Sequence, residues 1–412
     1  MNIRVIKFGG TSVGSVEKLQ FVSKKISSLL EKNVKIIAVV SAMGKTTDNL
    51  LDLCSSISNN PSERELGLLL STGEVVSSAL LAMALQEKGI KAAALTGAQC
   101  GINTVGGFDN AAIERIDTSG ILKQFESCDV VVAAGYQGMN GDEVTVLGRG
   151  GSDATAVALS AALDLDECTI YTDVPGVLTA DPRIVEGASV LQGIEYEEMI
   201  ELAGSGAQVM MGRSVEIARN YGVRIIVRQS NGESPGTIIN GGKAVEKIAV
   251  TGIAVDKSVV LVNLSGVEKN SRDAGRILSR IADSNINIKL LSYYPGKRSS
   301  VLSIVISKDD VPALLHLIEE FVLDGTIIEF AIDREVGQVS IVGSGIARNC
   351  GIASKVFMSL VEEGIDIQLT STSEIKISVV VPESQSEQAA RKLHTSFALD
   401  NLYETCKEVE NG

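Results

Sequence analysis

The segment from Leu147 to Ala156 combines residue types that bind anions. It contains Arg149 among three glycines, followed by Ser152 and Asp153 at the start of a helix-like run. Glycines let a backbone approach a ligand closely, and a helix N-terminus presents unpaired N–H groups. An arginine fork matches a carboxylate or a phosphate with two hydrogen bonds. The segment therefore predicts an anion-binding loop that opens a helix.

A second candidate anion site lies near the start of the sequence. The strand-like run Val5–Phe8 leads into Gly9 and Gly10 and then into Thr11-Ser12. Lys7 would place a point charge beside phosphates, while the glycine amides would cradle them. The Gly-Lys-Ser/Thr of the Walker pattern does not occur here. Taken alone, the motif is equally compatible with a strand, a turn and a helix that carry a surface lysine.

Two further segments could complete a site. Tyr171 to Arg183 places Pro, Gly and Asp after a strand-like run, and open α/β sheets bind ligands at such strand ends. Glu74 ends the stretch Leu70–Glu74, which is otherwise apolar or hydroxyl-bearing. A buried glutamate is rare unless it is paired, so a substrate ammonium is one predicted partner and helix capping is the alternative.

Composition narrows the class of protein. The 412 residues exceed one typical domain and predict about two to four. A formal net charge of -14, 4% aromatic residues and no Trp argue against a nucleic-acid partner. The two histidines, His316 and His394, come late, so neither catalysis nor metal binding by histidine is expected in the first three hundred residues.

Cysteine spacing and hydropathy predict the compartment. Six Cys without CxxC spacing indicate reduced thiols rather than a disulfide framework or a zinc site. The chain opens on a strand-like pattern, so no cleavable signal is expected. No apolar run is expected to reach the ~20 residues that a membrane helix needs. The prediction is a soluble cytoplasmic protein with no membrane partner.

Periodicity divides the chain into two regimes. Up to about Gly242, short β-branched runs alternate with helix-like segments, which is typical of βα units around a mostly parallel sheet. The predicted strands are Arg4 to Phe8, Val34 to Val40, Lys91 to Leu95, Asp129 to Ala134, Cys168 to Thr172 and Arg224 to Arg228. The predicted helices are Ser15 to Leu30, Arg64 to Gln86, Asp153 to Leu163 and Glu197 to Tyr221. Gly, Ser, Pro and Asn between Asn231 and Lys247 predict a domain boundary.

The remainder of the chain repeats itself. The matched pairs share an offset of 79, from 345 minus 266: Gly266 and Gly345, Ala274 and Ala353, Leu278 and Phe357, Ile286 and Ile365. Each unit is predicted to run strand, helix, two strands and helix, with a further strand. Two tandem βαββαβ modules are the economical interpretation, and chance matching is the alternative.

Taken together, these motifs resemble the aspartokinases of the amino-acid kinase family. The resemblance covers essentially the whole chain and rests on several motifs in the same order. These are Lys7 to Ser12, Ser41-Ala42-Met43-Gly44, Thr72-Gly73-Glu74, Gly148 to Asp153, Thr172 to Arg183 and Ser371-Thr372-Ser373-Glu374.

The resemblance implies an α/β amino-acid kinase fold, with a mostly parallel central sheet flanked by helices, followed by two α+β ACT modules. The implied bounds are 1–242 for the catalytic domain and 249–333 and 337–408 for the ACT domains. The implied reaction is ATP-dependent phosphorylation of the side-chain carboxylate of L-aspartate to 4-phospho-L-aspartate, on the route to lysine, threonine and methionine. A carboxylate with a pKa near ~4 is already ionised at pH 7, so no general base is required. Positive charge and in-line positioning are required instead.

Roles follow from the resemblance, residue by residue. Lys7 would neutralise the transferring phosphoryl, and Asp153 would orient the cationic groups. Arg149 would clamp the α-carboxylate of aspartate while Glu74 takes its ammonium. The rest of the implied substrate pocket is Ser41, Thr47, Gly150, Gly151 and Ser152. The implied nucleotide site is Lys7, Phe8, Gly9, Gly10, Ser12, Tyr171, Thr172, Asp173, Val177, Leu178, Asp181, Pro182, Arg183 and Gln208. Mg²⁺ would lie mainly on ATP oxygens rather than in a protein cage, so no metal ligands are assigned.

The chain departs from the family pattern at several positions. Gln208 stands where many relatives carry a lysine that contacts the nucleotide, and Leu178 replaces a commoner tyrosine. In the first ACT module, Lys269 and Arg272 lie where an acidic residue and a Pro-Gly are frequent, which disfavours an effector ammonium there. The second module has Asn349-Cys350-Gly351 in place of a Pro-Gly. The candidate effector contacts are Asn287, Ile288, Ile367, Gln368 and Glu374.

Two alternatives stay open on the sequence. A relative that acts on glutamate, acetylglutamate or carbamate would keep the Lys-Gly-Gly opening without needing Glu74, Arg149 or tandem ACT modules. A catalytically silent amino-acid sensor is the other, which Gln208 favours and which Lys7, Asp153 and Glu74 oppose. ACT modules usually bury faces against another copy, so a homo-oligomer is expected.

Overall fold

The computed structural model describes residues 2–31, 33–207, 209–232, 234–241, 249–267, 271–296 and 300–401. The described chain divides into two compact units. The first comprises Met1–Val177, Val190–Gly204 and Gln208–Ala244, and the second comprises Leu178–Ser189, Ser205–Ala207 and Val245–Gly412.

The first unit is built on a large sheet. Its strands are β1 (Asn2–Phe8), β2 (Val34–Val40), β3 (Ala92–Leu95), β4 (Ile102–Val105), β5 (Ala112–Ile116), β6 (Val130–Ala134), β7 (Gln137–Asn140), β8 (Glu143–Val146), β9 (Glu167–Thr172), β10 (Gly193–Glu195), β11 (Arg224–Gln229) and β12 (Thr237–Asn240). Among the described residues, eight of these strands form one sheet in the order β10-β12-β11-β9-β1-β2-β6-β3. All neighbours in it pair in parallel except β11 and β12. The predicted mostly parallel sheet is confirmed.

Helices flank this sheet and bury its apolar strands. They are α1 (Val16–Leu29), α2 (Thr46–Ser55), α3 (Glu63–Gln86), α4 (Ser119–Gln124), α5 (Gly151–Ala162), α6 (Tyr196–Gly204) and α7 (Gly212–Tyr221). Ser15 caps α1 by accepting a hydrogen bond from the backbone N–H of Lys18. Apolar side chains of α1 and α3 pack against β1, β2 and β6 in one core. Burial on both faces explains why these strands are nearly continuous apolar runs.

One predicted helix is wrong, and one sheet of the first unit was not foreseen. The single predicted helix from Glu197 to Tyr221 is two helices, α6 and α7, because Gly206 adopts a φ of 112° that a helix does not allow. A smaller sheet of order β5-β4-β7-β8 was not predicted. Its strands are only four or five residues long and mix polar with apolar side chains, so they carry little periodic signal.

The second unit contains two α+β modules, as predicted. Its elements are β13 (Gly252–Asp256), β14 (Val259–Val267), α8 (Ser271–Asp283), β15 (Leu290–Tyr294), β16 (Ser300–Ser307), α9 (Val311–Leu323), β17 (Glu329–Asp333), β18 (Val336–Val342), α10 (Gly351–Glu362), β19 (Leu369–Thr372), β20 (Lys376–Pro382) and α11 (Ser386–Ser396). Within the described residues, the first sheet has the order β15-β16-β14-β17 and the second the order β13-β18-β20-β19. Each module has its own apolar core.

The strand β13 joins the sheet of the second module. It pairs antiparallel with β18, and the side chain of Ile253 lies in the second core. The range 249–333 predicted for the first module therefore contains a strand of the other sheet. A five-residue strand carries no sign of which sheet edge it will join, so the sequence pattern did not reveal this exchange.

One described helix is long and apolar enough to cross a membrane, judged by length and composition alone. This contradicts the expectation that no apolar run is long enough. Among the described residues this is α3, and half of its most apolar window is buried inside the fold. It also carries Glu74, which is 3% exposed. These properties are those of the core helix of a globular protein.

Candidate active site

Lys7 and Asp153 form a buried ion pair. Lys7 lies near the carboxyl end of β1 and Asp153 in the first turn of α5, with 2.5 Å between Lys7 Nζ and Asp153 Oδ1. Lys7 is 8% exposed and Asp153 is 7% exposed. A buried ion pair is poor evidence for stability, because desolvation offsets the attraction. Its position at a parallel strand end, where such sheets bind ligands, indicates a catalytic use instead.

Glu74 projects from the middle of α3 into the same region. Its Oε1 accepts a hydrogen bond of 3.0 Å from the backbone N–H of Ala42, and its Oε2 is buried without a hydrogen-bond partner. Burial raises the pKa of Glu74 to about 7, although the hydrogen bond from Ala42 and the charge of Lys7 act to lower it. The helix-capping alternative is wrong, because the residue that caps α3 is Ser62. The predicted burial of this carboxyl is confirmed.

Backbone hydrogen bonds join the chain at the carboxyl ends of β1, β2 and β9. The N–H of Gly9 donates to the carbonyl of Tyr171, and the N–H of Ser41 donates to the carbonyl of Phe8, both over 3.2 Å. A Cβ atom at Gly10 would lie 2.7 Å from the carbonyl oxygen of Ala42, so this approach requires glycine. The structure thus brings Lys7, the glycine pair and Ser41 to one end of the sheet.

The Arg149 segment has the predicted form of a loop that opens a helix. Gly148 and Gly150 each have a φ of 71°, and α5 begins at Gly151. A Cβ at Gly150 would lie 2.0 Å from the side chain of Met211, so glycine is required there. Ser152 is buried and Arg149 is exposed. The side chain of Arg149 is therefore accessible to a ligand from solvent.

The sequence motifs did not indicate Tyr136 as a site residue. It follows Gly135 just after β6 and has a φ of 69°, a strained conformation for a residue with a side chain. Burial raises the pKa of Tyr136 to about 12, with further increases from the carboxylates of Glu74 and Asp109 and an opposing effect of Arg149. The phenol therefore lies in the field of both groups assigned to aspartate. The only sequence signal was its place at a strand end.

Arg213 was also missed, and it holds the Arg149 loop from behind. Its Nη1 donates to the carbonyl of Leu147 and its Nη2 to the carbonyl of Ala111, each over 2.7 Å. Burial lowers the pKa of this guanidinium, although Glu216 opposes the shift. Both bonds end on backbone carbonyls, one of them two residues before Arg149.

We expect Arg213→Lys to raise the KM for aspartate about tenfold with a smaller change in kcat. Lysine keeps the charge but cannot bridge both carbonyls, and a tenfold effect corresponds to about 1.4 kcal/mol, close to the lower end of the range for one charged hydrogen bond. Steady-state kinetics measures the effect. Arg219→Lys, at an exposed position on the same helix, is the matched control. A KM within twofold of the wild type would contradict the role of Arg213 in holding the loop.

The first part of the predicted nucleotide set lies around the end of β9. The rings of Phe8 and Tyr171 stack with 5.0 Å between centroids and 9° between planes. Lys25 Nζ lies 4.5 Å from the centroid of the Tyr171 ring. The Ser12 and Ser230 hydroxyls are 2.6 Å apart, and both residues are buried. Among the predicted residues here, Thr172 is half-buried, Asp173 is exposed and Val177 is buried.

Four further members of that set lie in the second compact unit. Leu178, Asp181, Pro182 and Arg183 belong to Leu178–Ser189. Arg183 pairs with Asp181 over 2.6 Å, and hydrogen bonds from Arg183 hold the pKa of Asp181 below its usual value. Gln208 lies outside the described residues. The predicted substrate residue Thr47 is half-buried in α2.

The candidate effector residues occupy corresponding places in the two modules. Asn287 is exposed and Ile288 packs against the first core, while Ile367 packs against the second core. Gln368 Nε2 donates to Asp333 Oδ2 over 3.3 Å, and Glu374 is exposed. Lys269 and its neighbours Glu268 and Asn270 lie outside the described residues.

The described ranges contain no cluster of three or more His, Cys, Asp or Glu side chains that could hold a metal ion.

Comparisons with known proteins place the chain in a family. Residues 2–229 match the model of the amino acid kinase family, and residues 339–397 match a model of the ACT domain. The chain is 43% identical over 401 residues to Aspartokinase 2 of Bacillus subtilis (strain 168), covering 97% of this chain and 98% of that protein.

Solved structures show the same similarity. The crystal structure of Clostridium acetobutylicum aspartate kinase is 26% identical with a TM-score of 0.75, covering 96% of this chain and 100% of that one. Escherichia coli aspartokinase III, crystallised in complex with aspartate and ADP, is 23% identical with a TM-score of 0.80, covering 96% of this chain and 99% of that one. This second similarity bears on the fold alone.

Proposed function

Because this chain belongs to the aspartokinases of the amino acid kinase family, we propose that the Lys7–Asp153 pair and Glu74 form the site where the side-chain carboxylate of L-aspartate takes a phosphoryl group from ATP. The activity follows from family membership: the chain is an aspartate kinase. The assignment of this activity to particular residues is our proposal. The observation that carries it is the buried ion pair at a strand end beside a second buried carboxyl.

The chemistry of the reaction matches these groups. The acceptor carboxylate is ionised at neutral pH, so the enzyme needs no base and must instead bring two anions together. Lys7 supplies the positive charge that stabilises the phosphoryl in transit, and Asp153 holds the Lys7 ammonium in place. ATP is the phosphoryl donor.

The substrate is recognised at its amino-acid end. The ionised carboxylate of Glu74 takes the substrate ammonium, with its Oε2 free to accept a hydrogen bond. Arg149 closes on the α-carboxylate from the glycine loop, while Ser41, Thr47 and Ser152 complete the pocket. The nucleotide is held by the Gly9-Gly10 amides and by residues from Tyr171 to Arg183. Mg²⁺ would be carried mainly on the phosphate oxygens of ATP, where it would offset their negative charge.

Regulation and assembly are further parts of the proposal. An amino-acid effector binds at the ACT modules, through residues such as Ile367, Gln368 and Glu374. The chain assembles as a homo-oligomer through these modules. The enzyme works in the cytoplasm, which fits the free cysteines at the five described positions, Cys54, Cys100, Cys128, Cys168 and Cys350.

The substrate assignment is tested by ADP release with aspartate, with glutamate and without an acceptor. We expect ADP to form with aspartate alone. Equal turnover with glutamate would support another carboxylate kinase, and no turnover with either would support a sensor.

We expect Arg149→Lys to raise the KM for aspartate by roughly 30-fold, or about 2 kcal/mol, with kcat changed less. Lysine keeps the charge but loses the two parallel hydrogen bonds of the guanidinium to a carboxylate. Arg115→Lys, at an exposed position in β5, is the control and should match the wild type. An unchanged aspartate KM in Arg149→Lys would exclude Arg149 as the carboxylate clamp.

A further inference from the structure

The segment Leu178–Ser189 leaves the catalytic unit and packs within the second unit. Its ends are tied together by a hydrogen bond of 2.9 Å from the N–H of Thr179 to the carbonyl of Ser189. The N–H of Ile253, in β13, donates to the carbonyl of Thr179 over 2.7 Å. Arg391 Nη1, on α11, donates to the carbonyl of Ile184 over 3.3 Å, and Ile184 packs against the second core. The segment is therefore built into the second module.

A buried histidine makes the most specific contact in this arrangement. His394 Nε2, on α11, lies 2.8 Å from Thr179 Oγ1, and its Nδ1 lies 2.5 Å from Asp400 Oδ1. The Thr179 hydroxyl oxygen also accepts a hydrogen bond of 3.0 Å from the N–H of Ser189. Because Nδ1 lies beside a carboxylate, it is the ring nitrogen that carries the proton. Nε2 then accepts from the Thr179 hydroxyl.

This pattern requires a neutral imidazole ring. Burial lowers the pKa of His394, although Asp400 opposes the shift. Asp400 also contacts the other end of the segment, because its backbone carbonyl accepts a hydrogen bond of 2.9 Å from Ser189 Oγ. Both ends of the segment thus reach the chain that follows α11, one through His394 and one through Ser189.

The order Thr179, His394 and Asp400 has the form of a nucleophile, base and acid triad, but it cannot act as one. Thr179 and His394 are both 0% exposed, so no substrate reaches the hydroxyl. A fully buried hydrogen bond between side chains more than two hundred positions apart serves to fix one segment against another. What it fixes is the segment that carries Asp181 and Arg183.

We propose that His394 is a positioning residue for nucleotide binding, which acts through Thr179 by holding the Asp181–Arg183 turn in its binding conformation. This inference rests on the proposed nucleotide role of that turn.

The test replaces each partner by a near-isosteric residue and measures both Michaelis constants. We expect Thr179→Val and His394→Gln each to raise the KM for ATP about tenfold, with the KM for aspartate within twofold of the wild type. Titration calorimetry with ADP should show a matching rise in Kd. The double variant should resemble the single ones, because both act through one contact. Thr179→Ser keeps the hydroxyl and should restore the wild-type KM for ATP.

His316→Gln is the matched control for the histidine substitution. His316 lies on α9 with a side chain that is 79% exposed, and its replacement should change neither constant. An ATP KM within twofold of the wild type in Thr179→Val, or an equal rise in both Michaelis constants, overturns the proposal. If His394→Gln does not fold, the Thr179→Val and Thr179→Ser pair decides.

Two further variants separate this inference from the proposed function. Asp181→Asn and Arg183→Ala alter the turn itself and should raise the KM for ATP. If they do so while the Thr179 and His394 variants do not, the anchoring role fails and the nucleotide role of the turn stands. If they leave the KM for ATP unchanged, the nucleotide role of the turn fails and the anchoring role fails with it.

Discussion

Lys7→Ala should lower kcat for aspartate phosphorylation about 1,000-fold, with the KM for aspartate and for ATP changed by no more than a few fold. The Lys7 ammonium lies within 2.5 Å of a carboxylate in a site that is almost closed to water, so its charge is strong there and is already in place before reaction. A group that stabilises charge mainly in the transition state affects kcat rather than substrate affinity. Single-turnover rates of ADP formation provide the measurement.

The same change leaves Asp153 buried without its cation, which destabilises the fold by about 3 to 5 kcal/mol. Lys7→Gln separates the two effects, because its amide can still donate to Asp153 while the positive charge is gone. We expect Lys7→Gln to unfold close to the wild-type temperature and yet to lose most of kcat. Lys35→Ala is the matched control, since Lys35 lies in the neighbouring strand β2 and pairs with Asp129 over 2.9 Å. A kcat in Lys7→Gln within tenfold of the wild type would contradict the catalytic role of this charge.

The parts of the site that the sequence predicted are those with a local chemical signature. Lys7 at a strand end, the glycines around Arg149 and the lone carboxyl of Glu74 are each visible in a few consecutive residues. The parallel sheet was predictable for a related reason, because strands buried on both faces are uniformly apolar. Local patterns of this kind need no knowledge of which distant segments come together.

The parts that the sequence did not reveal depend on contacts between distant positions. Arg213 looks like an ordinary helix arginine until its guanidinium is seen to meet the carbonyls of Leu147 and Ala111. Tyr136 gains its importance from Glu74 and Arg149, which lie more than ten positions away in either direction. The pairing of β13 with β18 skips over an entire module. None of these relations leaves a periodic or compositional trace.

Glu74→Gln should raise the KM for aspartate roughly 100-fold at pH 8 and remove its dependence on pH. In the free enzyme the pKa of Glu74 is raised to about 7, so at pH 6 only about a tenth of the molecules carry the carboxylate that the substrate ammonium requires. The wild-type KM for aspartate should therefore fall about tenfold as the pH rises from 6 to 8. Neither the carboxylates nor the ammonium of aspartate titrates in this range. Initial rates across the range, in buffers of constant ionic strength, give the profile.

The stability of the free enzyme should respond in the opposite direction. A glutamate whose folded-state pKa lies above its unfolded value of 4.5 favours the folded state below pH 4.5, and this contribution is lost as the pH rises through about 7. Above pH 7 the wild type holds a buried carboxylate whose desolvation is only partly offset by Ala42 and Lys7, so Glu74→Gln should raise Tm there while it weakens aspartate binding. Glu198→Gln is the matched control, because Glu198 is a buried glutamate of α6 that accepts a hydrogen bond from the N–H of Glu195. Its profile of aspartate KM against pH should follow the wild type. A wild-type KM for aspartate that stays constant from pH 6 to 8, or a Glu74→Gln variant that keeps the wild-type pH dependence, would assign the substrate ammonium to another group. Loss of aspartate affinity together with a gain in Tm would instead show that the Glu74 carboxylate is kept charged for its substrate at a cost in fold stability.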